Sequence, residues 1–298
     1  MGLGAGSRVI DRRGIWLGLL LGLLVAACSQ DDRESTVEPF RVAVVPDQSE
    51  DQLRRKYHPL LEFFKLHTGL QFELLIPESY DQLVQWFADK RIDMARFGGA
   101  SYVKASLQSR ASPLVMRDVD SRFRTVALVH ADNPANSLQD VEGASLAFGD
   151  RFSTSGHFMP RYFFQQENII PENYFSKILY SGAHDRTAAW VRDGKVEMGM
   201  VNAVIANEMF HDGRLRVEDV RIIWTSPPYA DYVWAVQADV SKKRRTLVRD
   251  AFLHMSEHAG GKLLLQTLGG NYYIPAVQED FDSLQQVILQ MEQAELVQ

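Results

Sequence analysis

The chain of 298 residues contains a single cysteine, Cys28, so no disulfide can form within it. It also lacks a surplus of basic residues, with 32 Lys and Arg against 38 Asp and Glu and a formal net charge of −6. Binding a phosphate backbone needs a basic face, and this balance argues against nucleic acid as a partner. No apolar run reaches the ~20 residues of a membrane-spanning helix. The longest, residues 15–27, falls short of it. Internal repeats and low-complexity segments are missing too, which excludes solenoid and fibrous architectures.

What is present begins with a processing signal. Arg8, Arg12 and Arg13 form a positive n-region ahead of the apolar run, which ends in Val25-Ala26-Ala27-Cys28. Small residues directly before a lone cysteine resemble a bacterial lipobox, in which Cys28 is lipidated and becomes the new N-terminus. Loss of 1–27 removes three Arg and one Asp, leaving 29 basic against 37 acidic residues and a net charge of −8. Residues 28–39 are polar and charged and read as a flexible tether between lipid and folded body. The ~260 residues that remain suffice for one large or two modest cores.

That body alternates strand and helix signals. Strands are expected at 40–45, 72–76, 94–97, 125–130, 145–148, 177–180, 196–201, 221–225 and 232–236. Helices are expected at 53–67, 80–89, 101–109, 157–166, between 242 and 268, and from 281 onward. The alternation predicts α/β lobes, each a mostly parallel sheet flanked by helices. Lobe 1 is expected to take 40–127 and 232–298 and lobe 2 to take 128–231, with joining strands near 125–130 and 230–236 and a ligand cleft between. Pro46-Asp47, Glu78-Ser79-Tyr80, Gly98 to Tyr102 and Ser153 to Gly156 each follow a predicted strand. That places four loops at the carboxyl edges, where ligands collect in such sheets.

One of these loops carries Ser153-Thr154-Ser155-Gly156 ahead of a predicted helix starting at His157. Ser, Thr and Gly are favoured N-caps, so a plain capped helix start explains them. Three hydroxyls over the free N–H groups of a first turn also make a socket for a small oxyanion. The segment alone leaves both readings open.

Several motifs in order carry a family resemblance: Val45-Pro46-Asp47, Tyr80, Asp93 to Tyr102, Ser153 to Gly156, Ser181-Gly182-Ala183-His184-Asp185 and Trp224 to Pro228. Over residues 40–280 the chain resembles the phosphate/phosphite/phosphonate solute-binding proteins of ABC transporters. The resemblance implies a hinged two-lobe periplasmic-binding-protein fold (type II-like), export, often with a lipid anchor, and no enzymatic activity or cofactor. Its partners would be a small phosphorus oxyanion and a membrane permease, with the protein acting as a monomer. Ser153, Thr154, Ser155 and Gly156 match the family's oxyanion loop. Tyr80 matches a tyrosine of the facing lobe, and His184 a histidine that donates its ring N–H. Phe97 stands where some members have tyrosine. Asn202 stands where an aspartate is expected, the residue that in aminophosphonate binders holds the substrate ammonium. Asparagine removes that charge, which implies weaker preference for aminophosphonates.

Other constellations carry less. His254 and His258 stand four apart on a predicted helix but have no third ligand in reach of the pattern. Gly260-Gly261-Lys262 lacks the glycine spacing and hydroxyl of a P-loop. Ser153, His184 and Asp185 lack the nucleophile elbow of a hydrolase triad. Trp86, Trp190, Trp224 and Trp234 read as core or cleft wall. Binding is therefore expected rather than catalysis. The same cleft would serve a lipoprotein sensor signalling to a membrane kinase, which neighbouring genes would distinguish from a transporter component.

Overall fold

The computed structural model describes residues 1–4, 6 and 38–297; Cys28, the apolar run at 15–27 and most of the tether at 28–39 lie outside the described residues. Strand β1 (Phe40–Val44) shows how the body is built. Its side chains alternate between faces with a period of two, and both faces are apolar. Phe40, Val42 and Val44 join Leu53, Leu60 and Phe64 of helix α1 (Glu50–Thr68) in one core cluster. Ala43, with Val45 just beyond the strand, joins Leu83 and Phe87 of α2 (Tyr80–Ala88) in another.

The first sheet adds β2 (Phe72–Leu75), β3 (Met94–Phe97), β4 (Ser112–Arg117), β10 (Val233–Val236) and β11 (Tyr273–Pro275), in the order β11-β4-β10-β3-β1-β2. The second contains β5 (Thr125–His130), β6 (Ser145–Phe148), β7 (Lys177–Tyr180), β8 (Met198–Asn202) and β9 (Val220–Thr225), in the order β7-β6-β8-β5-β9. Each sheet runs mainly one way and takes in one strand that enters from the other lobe in the opposite sense. These are β10, antiparallel to β3 and β4, and β5, antiparallel to β8 and β9. Short β11 also opposes β4. The expected two-lobe α/β architecture is present.

The chain crosses between lobes within 118–124 and 226–232, not along the strands expected to join them. There Phe123 and Tyr229 exchange backbone hydrogen bonds of 2.7 and 3.0 Å, and the Asp231 N–H bonds the Asp120 carbonyl at 3.0 Å. All of β5 pairs in the second sheet, so the boundary expected after residue 127 falls inside a strand.

Further helices are α3 (Gly99–Ser109), α4 (Met159–Gln166), α5 (Pro171–Tyr174), α6 (His184–Arg192), α7 (Ala203–His211), α8 (Lys242–Leu253), α9 (Gly261–Thr267) and α10 (Asp282–Val297). Strands β4 and β11 were not expected, because proline disfavours strands. Pro113 is tolerated opposite Ala235, where the β4–β10 register shifts, and Pro275 ends β11. The helical stretch between 242 and 268 is broken at His254–Gly260, where Gly260 takes a left-handed conformation and Gly261 packs so closely on the Met255 carbonyl that no Cβ would fit. His254 and His258 therefore flank a short 3-10 turn instead of sharing an α-helix, and the His258 ring lies 4.0 Å from that of His67. Trp234 is a fully buried core residue, while Trp86, Trp190 and Trp224 are half-buried.

Candidate functional site

The carboxyl ends of the strands in both lobes meet across the interlobe cleft, as expected for α/β sheets. From the first lobe come Asp47 after β1, Tyr80 at the start of α2, and Gly98-Gly99 at the start of α3. The second lobe contributes residues 153–156 after β6, His184 at the start of α6, and Asn202 at the end of β8. Bonds across the cleft hold the lobes together. His184 N–H donates to the Asp47 carbonyl at 2.9 Å, and Ala100 N–H donates to Thr154 Oγ1 at the same distance.

The hydroxyl segment is not the simple α-helix start that its sequence suggests. Residues Thr154–Phe158 form a π-turn, with Phe158 N–H bonded to the Ser153 carbonyl at 3.1 Å, and α4 follows from Met159. Ser153 Oγ caps the turn by accepting Gly156 N–H at 3.0 Å. A π-turn is wider than an α-turn and is favoured where a site needs its geometry. Here it holds Ser153, Thr154 and Ser155 fully buried and side by side. Gly156 is required: a Cβ there would lie 2.9 Å from both His184 Cε1 and Ser153 Oγ and 3.0 Å from the Gly149 Cα.

His184 is locked in one tautomer. Its Nδ1 accepts the Asn202 N–H at 3.2 Å, so the proton of the neutral ring sits on Nε2. Nε2 points at Ser153 Oγ (3.3 Å) and Ser155 Oγ (3.4 Å). Burial pushes the His184 pKa down to about 4, with Asp47 opposing, and the ring is neutral at neutral pH. Because an amide holds Nδ1, Asp185 does not orient this ring and no relay forms. Asp185 instead accepts Ser49 N–H from the other lobe at 2.8 Å.

Tyr80 faces this group from the first lobe. Its hydroxyl is buried, has no well-formed hydrogen bond among the described residues, and lies close enough to the Ser153 hydroxyl for a weak one. Burial raises its pKa well above the usual phenol value, Asp47 and Asp150 add to the rise, and nearby Ser153 opposes it. Phe97 is fully buried and packs at 5.2 Å against Phe87, in the core cluster that also holds Tyr80. Asn202 is committed differently from expectation. Its Oδ1 caps α7 by accepting Val204 and Ile205 N–H at 2.8 and 3.1 Å, and its Nδ2 donates to the Tyr232 hydroxyl at 2.9 Å.

Four further residues that sequence reading did not name as such belong to the site, although Asp47 stood on one of the predicted strand-end loops. Asp47 and Arg96 form a buried ion pair of 3.1 Å, and the Arg96 guanidinium lies 3.8 Å over the Tyr232 ring. Asp231 accepts the first N–H of α3, from Gly99, at 2.8 Å. Burial pushes the Asp231 pKa up to about 7, against the Gly99 bond. An arginine inside the otherwise apolar 94–97 strand was the one available signal, since a charge there needs a buried partner. Along the rim of the cleft runs an opening of about 480 Å³, lined by residues including Ser49, Asp150, Gly182 and Arg186.

This geometry can surround a small tetrahedral anion with hydroxyl and imidazole donors. Residues 42–281 match the family described as ABC transporter, phosphonate, periplasmic substrate-binding protein. The chain is 25% identical over 269 residues to the probable ABC transporter phosphite binding protein PhnD1 of Prochlorococcus marinus, covering 85% of this chain and 90% of that one. It is 25% identical to the phosphate-import protein PhnD of Mycolicibacterium smegmatis, covering 80% and 82%. The solved structure of P. marinus PhnD1 in complex with methylphosphonate superposes with a TM-score of 0.81 at 24% identity, covering 85% of this chain and 98% of that one. With its family match spanning most of the folded body, the chain belongs to the periplasmic substrate-binding proteins of phosphonate-type ABC transporters, which bind solutes and are not enzymes.

Proposed function

We propose that this protein is an extracytoplasmic lipoprotein, anchored through Cys28, that captures a phosphonate-, phosphite- or phosphate-type oxyanion between its lobes and delivers it to an ABC permease. The observation that carries the reading is the buried Tyr80 hydroxyl, which makes no well-formed hydrogen bond among the described residues and faces Ser153 of the 153–156 turn from the opposite lobe. A buried donor so weakly engaged is costly unless a ligand satisfies it. In this reading the hydroxyls of Ser153, Thr154 and Ser155, the Nε2–H of His184 and the Tyr80 hydroxyl donate to phosphoryl oxygens, while the Gly156 N–H stays on Ser153 Oγ and Gly156 lets the turn approach His184. Phe97 supplies an apolar wall. Each bond to a charged oxygen contributes on the order of 1.5–3 kcal/mol, so several together replace a hydration shell.

Asn202 bears on ligand choice through what it lacks. With its oxygen on the α7 cap and its amide on Tyr232, it presents no negative charge to a substrate ammonium. A thermal-shift and calorimetry panel of phosphate, phosphite, methylphosphonate and 2-aminoethylphosphonate tests the whole reading. At least one ligand is expected to raise the melting temperature by several degrees through mass action. 2-Aminoethylphosphonate is expected to bind no tighter than methylphosphonate. Absence of any shift across the panel refutes the function, and a strong preference for the aminophosphonate refutes the role given to Asn202.

A further inference from the structure

The donors described above leave one group in the site unexplained. Asp47 is 2% exposed, and its two carboxylate oxygens differ in their surroundings. Oδ2 accepts Arg96 Nη1 at 3.1 Å, while Oδ1 is buried without a hydrogen-bond partner among the described residues. The residue sits on the socket itself. Its carbonyl holds the N–H of His184, and its charge acts on the buried Tyr80, Tyr232 and Tyr57 hydroxyls as well as on the His184 ring. A free carboxylate oxygen amid donors meets a fully ionised anion with repulsion, and only a ligand that brings its own hydrogen satisfies it.

We propose that Asp47 Oδ1 accepts a hydrogen bond from a P–OH of the bound ligand, so that the site takes a phosphorus oxyanion in its hydrogen-bearing monoanionic form and rejects sulfonates and sulfate. The inference rests on the reading of the cleft as a phosphorus-oxyanion site. Sulfur oxyanions of the same shape carry no proton at neutral pH, and the fold by itself does not choose between the two elements. Arg96 makes Asp47 half of a neutral ion pair. The free oxygen therefore accepts a hydrogen bond without offering the net charge that would draw an ammonium group. The Asp231 Oδ2 is also buried without a well-formed hydrogen bond among the described residues, but that carboxyl is engaged by the Gly99 N–H and the Thr154 hydroxyl at the start of α3.

Methylphosphonate and methanesulfonate are tetrahedral probes of nearly one shape that differ by a titratable proton. Calorimetry on the mature chain is expected to give at least about 100-fold tighter binding of the phosphonate, because a site built around a ligand hydroxyl strongly rejects the analogue lacking it. In Asp47→Asn, which keeps an acceptor for Arg96 and gains a donor, the ratio is expected to fall to about tenfold or less. A second measurement needs no variant and covers the case in which Asp47→Asn fails to fold. Above the ligand's second pKa, wild-type binding is expected to take up about one proton per ligand, read from heats in buffers of different ionisation enthalpy. Comparable affinity for both probes in the wild type, no proton uptake, or an unchanged ratio in Asp47→Asn overturns the proposal. So does an aminophosphonate preference that Asp47→Asn abolishes, since the oxygen would then serve an ammonium. Phosphonate binding without discrimination overturns this inference alone, whereas failure to bind any phosphorus oxyanion overturns the reading of the cleft as well.

Discussion

His184 and Asp231 are buried within one site, yet burial moves their titrations in opposite directions. The folded pKa of Asp231 is raised from 3.8 to about 7, so its contribution to stability is full below the unfolded value and is lost as pH rises toward 7. For His184 the folded value drops from 6.5 to about 4, and its contribution is full above 6.5 and lost as pH falls toward 4. Each shift is on the order of a few kcal/mol, and between about pH 4 and 7 the two offset one another. Asp231→Asn removes only the first, because the amide oxygen still accepts the Gly99 N–H. The variant is expected to melt higher than wild type at about pH 8 and to lose more melting temperature on acidification to about pH 4. A melting profile parallel to wild type across that range would contradict the assignment.

Among the elements, the turn at 153–158 sets the geometry of the site. Gly156→Ala places a methyl against His184, Ser153 and the Gly149 backbone at 2.9 to 3.0 Å. Overpacking of this kind costs about 1–3 kcal/mol of stability. The socket is displaced at the same time, so ligand affinity is expected to fall on the order of 10- to 100-fold, measured by calorimetry beside a thermal melt. Unchanged affinity would show that the turn lies outside the binding contacts. The three hydroxyls and the glycine were legible in the sequence as a cap or socket. The π-turn was not, because an i to i+5 bond has no composition signature and its residues pack against His184 at the start of a separate helix, α6. Strand ends and loops were legible from period-two apolar runs closed by Pro, Gly and Ser. β4 and β11 were hidden by Pro113 and Pro275, which tertiary pairing accommodates.

At the scale of the whole molecule, the lobes are latched in contact. Lys56 of α1 reaches Glu208 of α7 at 2.6 Å, and Ser49 N–H reaches Asp185 at 2.8 Å. Burial lowers the Lys56 pKa, with Glu208 opposing, so the ammonium depends on that carboxylate when the cleft is shut. Lys56→Met is expected to open the ligand-free form and weaken ligand binding by about tenfold, because closure is part of the apparent affinity. Small-angle scattering without ligand and calorimetry with it check both halves. No change in radius or affinity would mean that the pair does not bias closure.

The sequence by itself determined the alternation of strands and helices, the acidic balance and the placement of the hydroxyls and Tyr80 at carboxyl strand ends. All of these are local patterns of period, charge and punctuation. Tertiary structure alone decided which partners those residues meet. Asp47 finds Arg96 49 positions away, Gly99 finds Asp231 132 away, and Asn202 turns its side chain to Tyr232 and the α7 cap. Such pairings depend on which strands lie side by side and on how the crossing segments return between the lobes. The tautomer of His184, the free oxygen of Asp47 and the altered role of Asn202 follow from that arrangement, which no local pattern encodes.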